Sequence, residues 1–145
     1  MSAHNILNIS EASSIGLHSA ILLAGFNGVR LSASQISKIL QISKAHLAKV
    51  LQMLNKAGIV KATYGPSGGY TLARPADKIT LLDIYQAIEG QMKPSNCLLK
   101  KRICNGKECF MGSLLKDINE RIYQHFSQTH LSELTTIFKG VKDAD

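Results

Sequence analysis

Residues 32–70, SASQISKILQISKAHLAKVLQMLNKAGIVKATYGPSGGY, set two short helical patterns, a tight turn and a glycine-rich hairpin one after another without a break. That order constrains the chain to a winged helix-turn-helix. Ser32 with Gln35 three residues on predicts a capping box, and Ile36, Ile39 and Leu40 give the first helix its apolar face. Gln41-Ile42-Ser43 is the turn, with Ser43 placed to cap the second helix. There Leu47, Val50, Leu51 and Leu54 recur at helical spacing, which turns Ala45, Lys49, Gln52 and Lys56 outward. Gly58 suits a left-handed cap.

Val60 to Tyr64 and Tyr70 to Leu72 read as β segments joined by the turn residues Gly65, Pro66, Ser67, Gly68 and Gly69. The turn lacks the lysine and spacing of a nucleotide phosphate loop. From Ala12 to Ala76 there are seven basic residues, Arg30, Lys38, Lys44, Lys49, Lys56, Lys61 and Arg74, and no Asp or Glu. Within a net charge of +7, this local acid-free stretch points to a polyanion partner, double-stranded DNA for this fold.

A helix is expected before this unit, capped from within Asn8 to Glu11, running to about Phe26 and ended by Asn27-Gly28. After the wing, Arg74-Pro75-Ala76-Asp77 reads as a linker. Thr80 with Asp83 then predicts a second capping box, for a helix carrying Leu81, Ile84, Tyr85 and Ile88. A long helix from about Met111 to His130 carries an apolar stripe of Leu114, Leu115, Ile118, Ile122 and Phe126, more than one small domain needs to cover. Leu131 to Phe138 reads as a short closing helix and Val141 to Asp145 as a frayed tail.

Between these helices, residues 94–112 hold every cysteine of the chain: Cys97, Cys104 and Cys109, separated by six and four residues, among Lys100, Lys101, Arg102 and Lys107. Three thiols cannot all pair within one monomer. Their spacing leaves metal or cluster binding, thiol redox sensing and inert packing as alternatives. No paired carboxylates and no Ser-His-Asp set stand out, so the chain is not expected to be an enzyme. With no apolar run near the roughly twenty residues that span a membrane and no signal-peptide pattern in Met1 to Ser10, a cytoplasmic location is expected.

Ile42-Ser43, His46-Leu47-Ala48-Lys49-Val50, Ala57-Gly58-Ile59-Val60, Gly65-Pro66-Ser67-Gly68-Gly69-Tyr70, Leu72-Ala73-Arg74-Pro75 and Ile79-Thr80-Leu81-Leu82-Asp83-Ile84 follow in the order in which the Rrf2 family of bacterial transcription regulators carries them. The chain resembles that family over nearly its whole length. The resemblance implies a homodimer joined by an antiparallel pair of the long C-terminal helices. It also implies an iron–sulfur cluster of two or four irons, because cluster-binding members place three cysteines in this region. Some members add a histidine three residues after the last cysteine, where this chain has Gly112. Others add an N-terminal aspartate, which aligns with Ser14. That leaves Glu11 or His18 of the partner subunit, Ser14, or a small exogenous thiol as candidates for a fourth ligand. Cluster state would then set operator affinity; the same regulator without a cluster would respond through thiol oxidation, a small ligand or a protein partner.

The expected architecture is mainly α with one small β-hairpin. Residues 1–90 form the DNA-binding domain, 91–112 the cysteine-containing sensor loop, and 113–145 the dimerisation helix and tail. Ser43, Lys44, Ala45, His46 and Lys49 are the candidates for base contacts, Lys56 and Lys61 for phosphates, and Tyr64 to Gly69 for the minor groove. Two departures from the family bear on site choice. Tyr64 stands where many members have a groove-inserting arginine, and Ala48 where some have a glutamate.

Overall fold

The computed structural model describes residues 9–141. Its first helix, α1 (Glu11–Gly25), is buried on most sides, at Ile15, Gly16, Ser19, Ala20, Leu22, Leu23 and Ala24, so the other elements pack around it. Ser10 caps α1 by accepting the Ser13 N–H; Asn8, the other cap candidate, lies outside the described residues. Helix α2 (Ala33–Leu40) opens on the expected Ser32–Gln35 box, both bonds of which are present, and closes on Gln41 in the left-handed region at φ 56°. Helix α3 (Lys44–Lys56) is capped by Ser43 and buries Leu47, Val50, Leu51 and Leu54.

Gly58, at φ +75°, lets Ile59 N–H turn back to the Leu54 carbonyl at 3.0 Å and delivers the chain into β1 (Val60–Thr63). β1 pairs antiparallel with β2 (Gly69–Leu72) in the register Val60 to Leu72 and Thr63 to Gly69. Leu31 extends this hairpin: its N–H and carbonyl exchange bonds of 3.1 and 2.8 Å with Tyr70. A β-carbon on Gly69 would come within 2.8 Å of the Leu31 carbonyl oxygen, so the third strand position depends on glycine there.

The segment read as a linker is more regular than expected. Ala76–Lys78 forms a 3-10 turn, and the Arg74 guanidinium bonds the carbonyls of Gly58 and Lys78, both at 3.3 Å. The Thr80–Asp83 box then starts α4 (Leu81–Glu89), whose Leu81, Leu82 and Ile84 are buried. The long helix α5 spans Leu114–Gln128, with Met111 and Gly112 in the preceding turn. Its stripe divides. Phe126 is buried and packs edge-on against Tyr85 at 5.8 Å, while Leu114 and Ile118 are exposed.

The closing helix expected over Leu131 to Phe138 is instead a 3-10 helix, Leu131–Leu134, followed by turns. Glu133 accepts the His130 N–H at 2.7 Å, and the later bonds span three residues, Ile137 to Leu134 and Lys139 to Thr136. The β-branched pair Thr135-Thr136 does little to favour an α-helix here. This segment is tied to the core by Leu131 N–H to Ile79 O at 2.9 Å and Leu81 N–H to Thr129 O at 3.1 Å. Of the tail, 142–145 lies outside the described residues.

Glu89 joins the end of α4 to the start of α1. Its Oε1 accepts from the Ser10 hydroxyl and, at 2.7 Å, from the Ser13 hydroxyl. These bonds, Ser10 first, hold its carboxyl below the ordinary value of 4.5, with burial opposing them weakly. A depressed folded value means stabilisation that is present above the ordinary glutamate value and is lost as pH falls through the folded one. Urea midpoints of wild type and Glu89→Gln should therefore differ at neutral pH and converge in acid.

Candidate nucleic-acid interface and cysteine loop

On the outer face of α3, Lys44, Ala45, Lys49, Gln52 and Lys56 are exposed, the geometry required to present side chains to a groove. Ser43 is exposed at the helix start, its Oγ accepting the His46 N–H at 3.4 Å. Lys61 is exposed on β1, and Tyr64 is 88% exposed at the wing tip beside Gly65, Pro66 and Ser67; Gly68 and Gly69 are half-buried at the wing's base. Arg30 reaches the wing from outside, its guanidinium donating to the Ser67 carbonyl at 3.3 Å. Arg30 and Arg74, two members of the basic stretch, thus brace loops.

Sequence reading missed an acid here. Glu11, one residue outside the acid-free stretch, brings its carboxylate to 3.7 Å from His46 Nδ1 and places a negative charge beside the start of α3. A distance-blind count could not show it, because α1 and α3 meet only in the fold.

The cysteine loop has no helix or strand between α4 and α5. Ser95 holds its entry through its own Oγ, which donates to the Cys97 carbonyl at 2.8 Å and accepts the Cys97 N–H at 3.2 Å. The Ser95 carbonyl accepts from Asn119 of α5. At the exit Gly112 N–H bonds the Cys109 carbonyl at 2.9 Å. All three cysteines are free thiols, Cys97 and Cys109 half-buried and Cys104 exposed.

Cys97, Cys104 and Cys109 line two cavities, one of about 200 Å³ with Asn96, Arg102, Ser113 and Lys116, and one of about 240 Å³ with Glu108 and apolar side chains such as Leu98, Ile103 and Phe110. The Arg102 guanidinium folds over Gly106, where a β-carbon would meet it at 2.8 Å. Three thiols, two cations and the start of α5 around one cavity match the donors and charge that an anionic cluster needs. Among the described residues, no three His, Cys, Asp or Glu side chains are grouped as a single ion would need.

Glu11, Ser14 and His18 do not line that cavity. His18 Nδ1 lies 2.6 Å from the Ser14 carbonyl, and its ring meets Phe138 edge-on.

A profile of the Rrf2 family, described as iron-dependent transcriptional regulators, matches residues 9–137. The chain belongs to the Rrf2 family. This Rrf2 chain is 31% identical over 101 residues to the HTH-type transcriptional regulator IscR of Xenorhabdus nematophila, across 70% of this chain and 62% of that one. Its fold is similar to that of CymR, the global cysteine regulator of B. subtilis. There the TM-score is 0.77 and the identity 28%, over 91% of this chain and 98% of the other. T. potens IscR shares the fold at TM-score 0.71 and 23% identity, over 97% and 94% of the two chains. The protein is an Rrf2 transcription regulator of winged-helix fold, and members of that family bind DNA. No helix among the described residues is long and apolar enough to cross a membrane.

Proposed function

We propose that the protein acts as a homodimer on a pseudo-palindromic DNA operator and that its affinity is set by an iron–sulfur cluster held by Cys97, Cys104 and Cys109. The observation that carries this reading is the cavity in which the three free thiols meet Arg102 and Lys116. Similarity to IscR supports it. When bound, the cluster supplies a redox-sensitive and nitric-oxide-sensitive anion at the root of α5.

The rest is done by the chain's own residues. Leu114 and Ile118, one turn apart and exposed by 54% and 42%, give α5 an apolar face for its copy in the dimer. Two α3 helices related by a two-fold axis then enter major grooves roughly 34 Å apart. Ser43, Lys44, Ala45, His46 and Lys49 read bases, Lys56 and Lys61 hold phosphates, and the wing from Tyr64 to Gly69 lies along the minor groove. Asn119 ties the loop entry at Ser95 to α5, so ordering the loop biases α5 and the subunit arrangement it sets.

The second reading keeps the DNA binding and replaces the cluster with thiol oxidation. It is favoured by the exposure of Cys104 and the similarity to CymR. Anaerobic reconstitution with iron and sulfide separates the two. The cluster reading expects visible thiolate-to-iron absorption, with iron and sulfide bound, in wild type. Both should vanish in the Cys97→Ala, Cys104→Ala, Cys109→Ala triple variant. A colourless wild type without iron would sink the cluster and leave thiol chemistry.

A further inference from the structure

Ser113 occupies the N-cap position of α5 and does not cap it. Its backbone is already helical, at φ −88° and ψ −3°, and its side chain makes no capping bond. Serine is ordinarily favoured at that position for the bond its oxygen accepts from the first turn. Here the hydroxyl donates instead to Asp117 Oδ2, at 3.1 Å. The residue also lines one of the two cavities that all three thiols share, the one with Arg102 and Lys116.

This wall contains no histidine, aspartate or glutamate, while Glu108 lines the second, mainly apolar cavity, which has no cation to balance an anionic cluster as Arg102 and Lys116 do here. Arg102 and Lys116 carry donors only and cannot ligate iron. The side-chain oxygens left are those of Asn96 and Ser113. Of the two, Ser113 follows the Gly112 N–H to Cys109 carbonyl bond directly, which fixes it next to the last thiol. Asp117 takes the hydroxyl hydrogen, which leaves the oxygen lone pairs available and orients them from one turn away.

We infer that Ser113 Oγ is the fourth protein ligand of the cluster, from the same subunit as Cys97, Cys104 and Cys109. This rests on the cluster reading of the previous subsection. The site is then complete within one chain, with three sulfur ligands and one oxygen, and needs neither a residue of the partner subunit nor an exogenous thiol. The positive end of α5 lies at the oxygen ligand, where it favours the cluster's negative charge.

The test compares anaerobically reconstituted wild type, Ser113→Ala and Ser113→Cys in iron content, visible spectrum and rate of iron loss to a chelator. Because Ser113 makes no capping bond, both variants keep the helix, which circular dichroism checks. Ser113→Ala should lose iron roughly tenfold faster or more. Ser113→Cys should retain iron with its visible band moved to longer wavelength, since charge transfer to iron from a thiolate lies lower in energy than from an oxygen donor. A Ser113→Ala protein with wild-type iron content, spectrum and release rate would overturn the assignment. So would loss of the cluster on Glu108→Gln, Glu11→Gln, Ser14→Ala or His18→Gln while Ser113→Ala retains it. Wild type that takes up no iron overturns this assignment together with the cluster reading, whereas iron indifferent to Ser113 overturns the assignment alone.

Discussion

Replacing Leu131 with alanine is expected to lower stability by about 3 kcal/mol, at the cost typical of a fully enclosed leucine. Leu131 is wholly buried. Its neighbours Thr129 and His130 run antiparallel to Ile79, Thr80 and Leu81, so the side chain is fixed from both flanks and the cavity cannot collapse by moving the backbone. Urea unfolding at one protein concentration checks this, since a dimer's stability depends on concentration. Ile137→Ala, at a position 57% exposed, should stay within about 0.5 kcal/mol. A Leu131→Ala cost no larger than that would mean the C-terminal segment is not part of the core.

The second large effect concerns DNA. Lys56→Ala with Lys61→Ala should weaken binding to all duplexes alike. In the proposed dimer it should also reduce the slope of log affinity against log salt by about four, one for each lysine removed. Lys49→Ala should cost about 1–3 kcal/mol and relax preference at one operator position in each half-site. Both follow from placement. Lys49 lies on the outer face of α3 one turn from its start, while Lys56 closes that helix and Lys61 sits on the wing strand. Anisotropy titrations of a selected duplex and a scrambled one, across a salt series, measure both. An unchanged salt slope in the double variant would place Lys56 and Lys61 away from the backbone.

The DNA-binding unit was legible because its signals are local. Ser32 with Gln35 and Thr80 with Asp83 announce helix starts within four residues, and Leu47, Val50, Leu51 and Leu54 carry their spacing in the sequence itself. What escaped is set by distant partners. The Leu31–Tyr70 bridge, the His130–Thr80 bridge and the Glu11–His46 pair each join segments that no periodicity connects. The α5 stripe showed an excess of apolar surface but not where it divides, because Phe126 is covered by Tyr85 and Ile118 is not. Cysteine spacing located the loop; the Arg102, Ser113 and Lys116 side chains that share its cavity could be found only from the fold.

Control of DNA affinity by the cysteine loop is read out in operator binding by its two states. A duplex selected by the protein from a random pool would be titrated anaerobically with cluster-loaded and cluster-free protein, and with the triple cysteine variant. Dissociation constants for the two wild-type states should differ by roughly tenfold or more, within the usual range of allosteric coupling, and the variant should show one constant under both treatments. Equal constants for the loaded and cluster-free wild type would contradict that control.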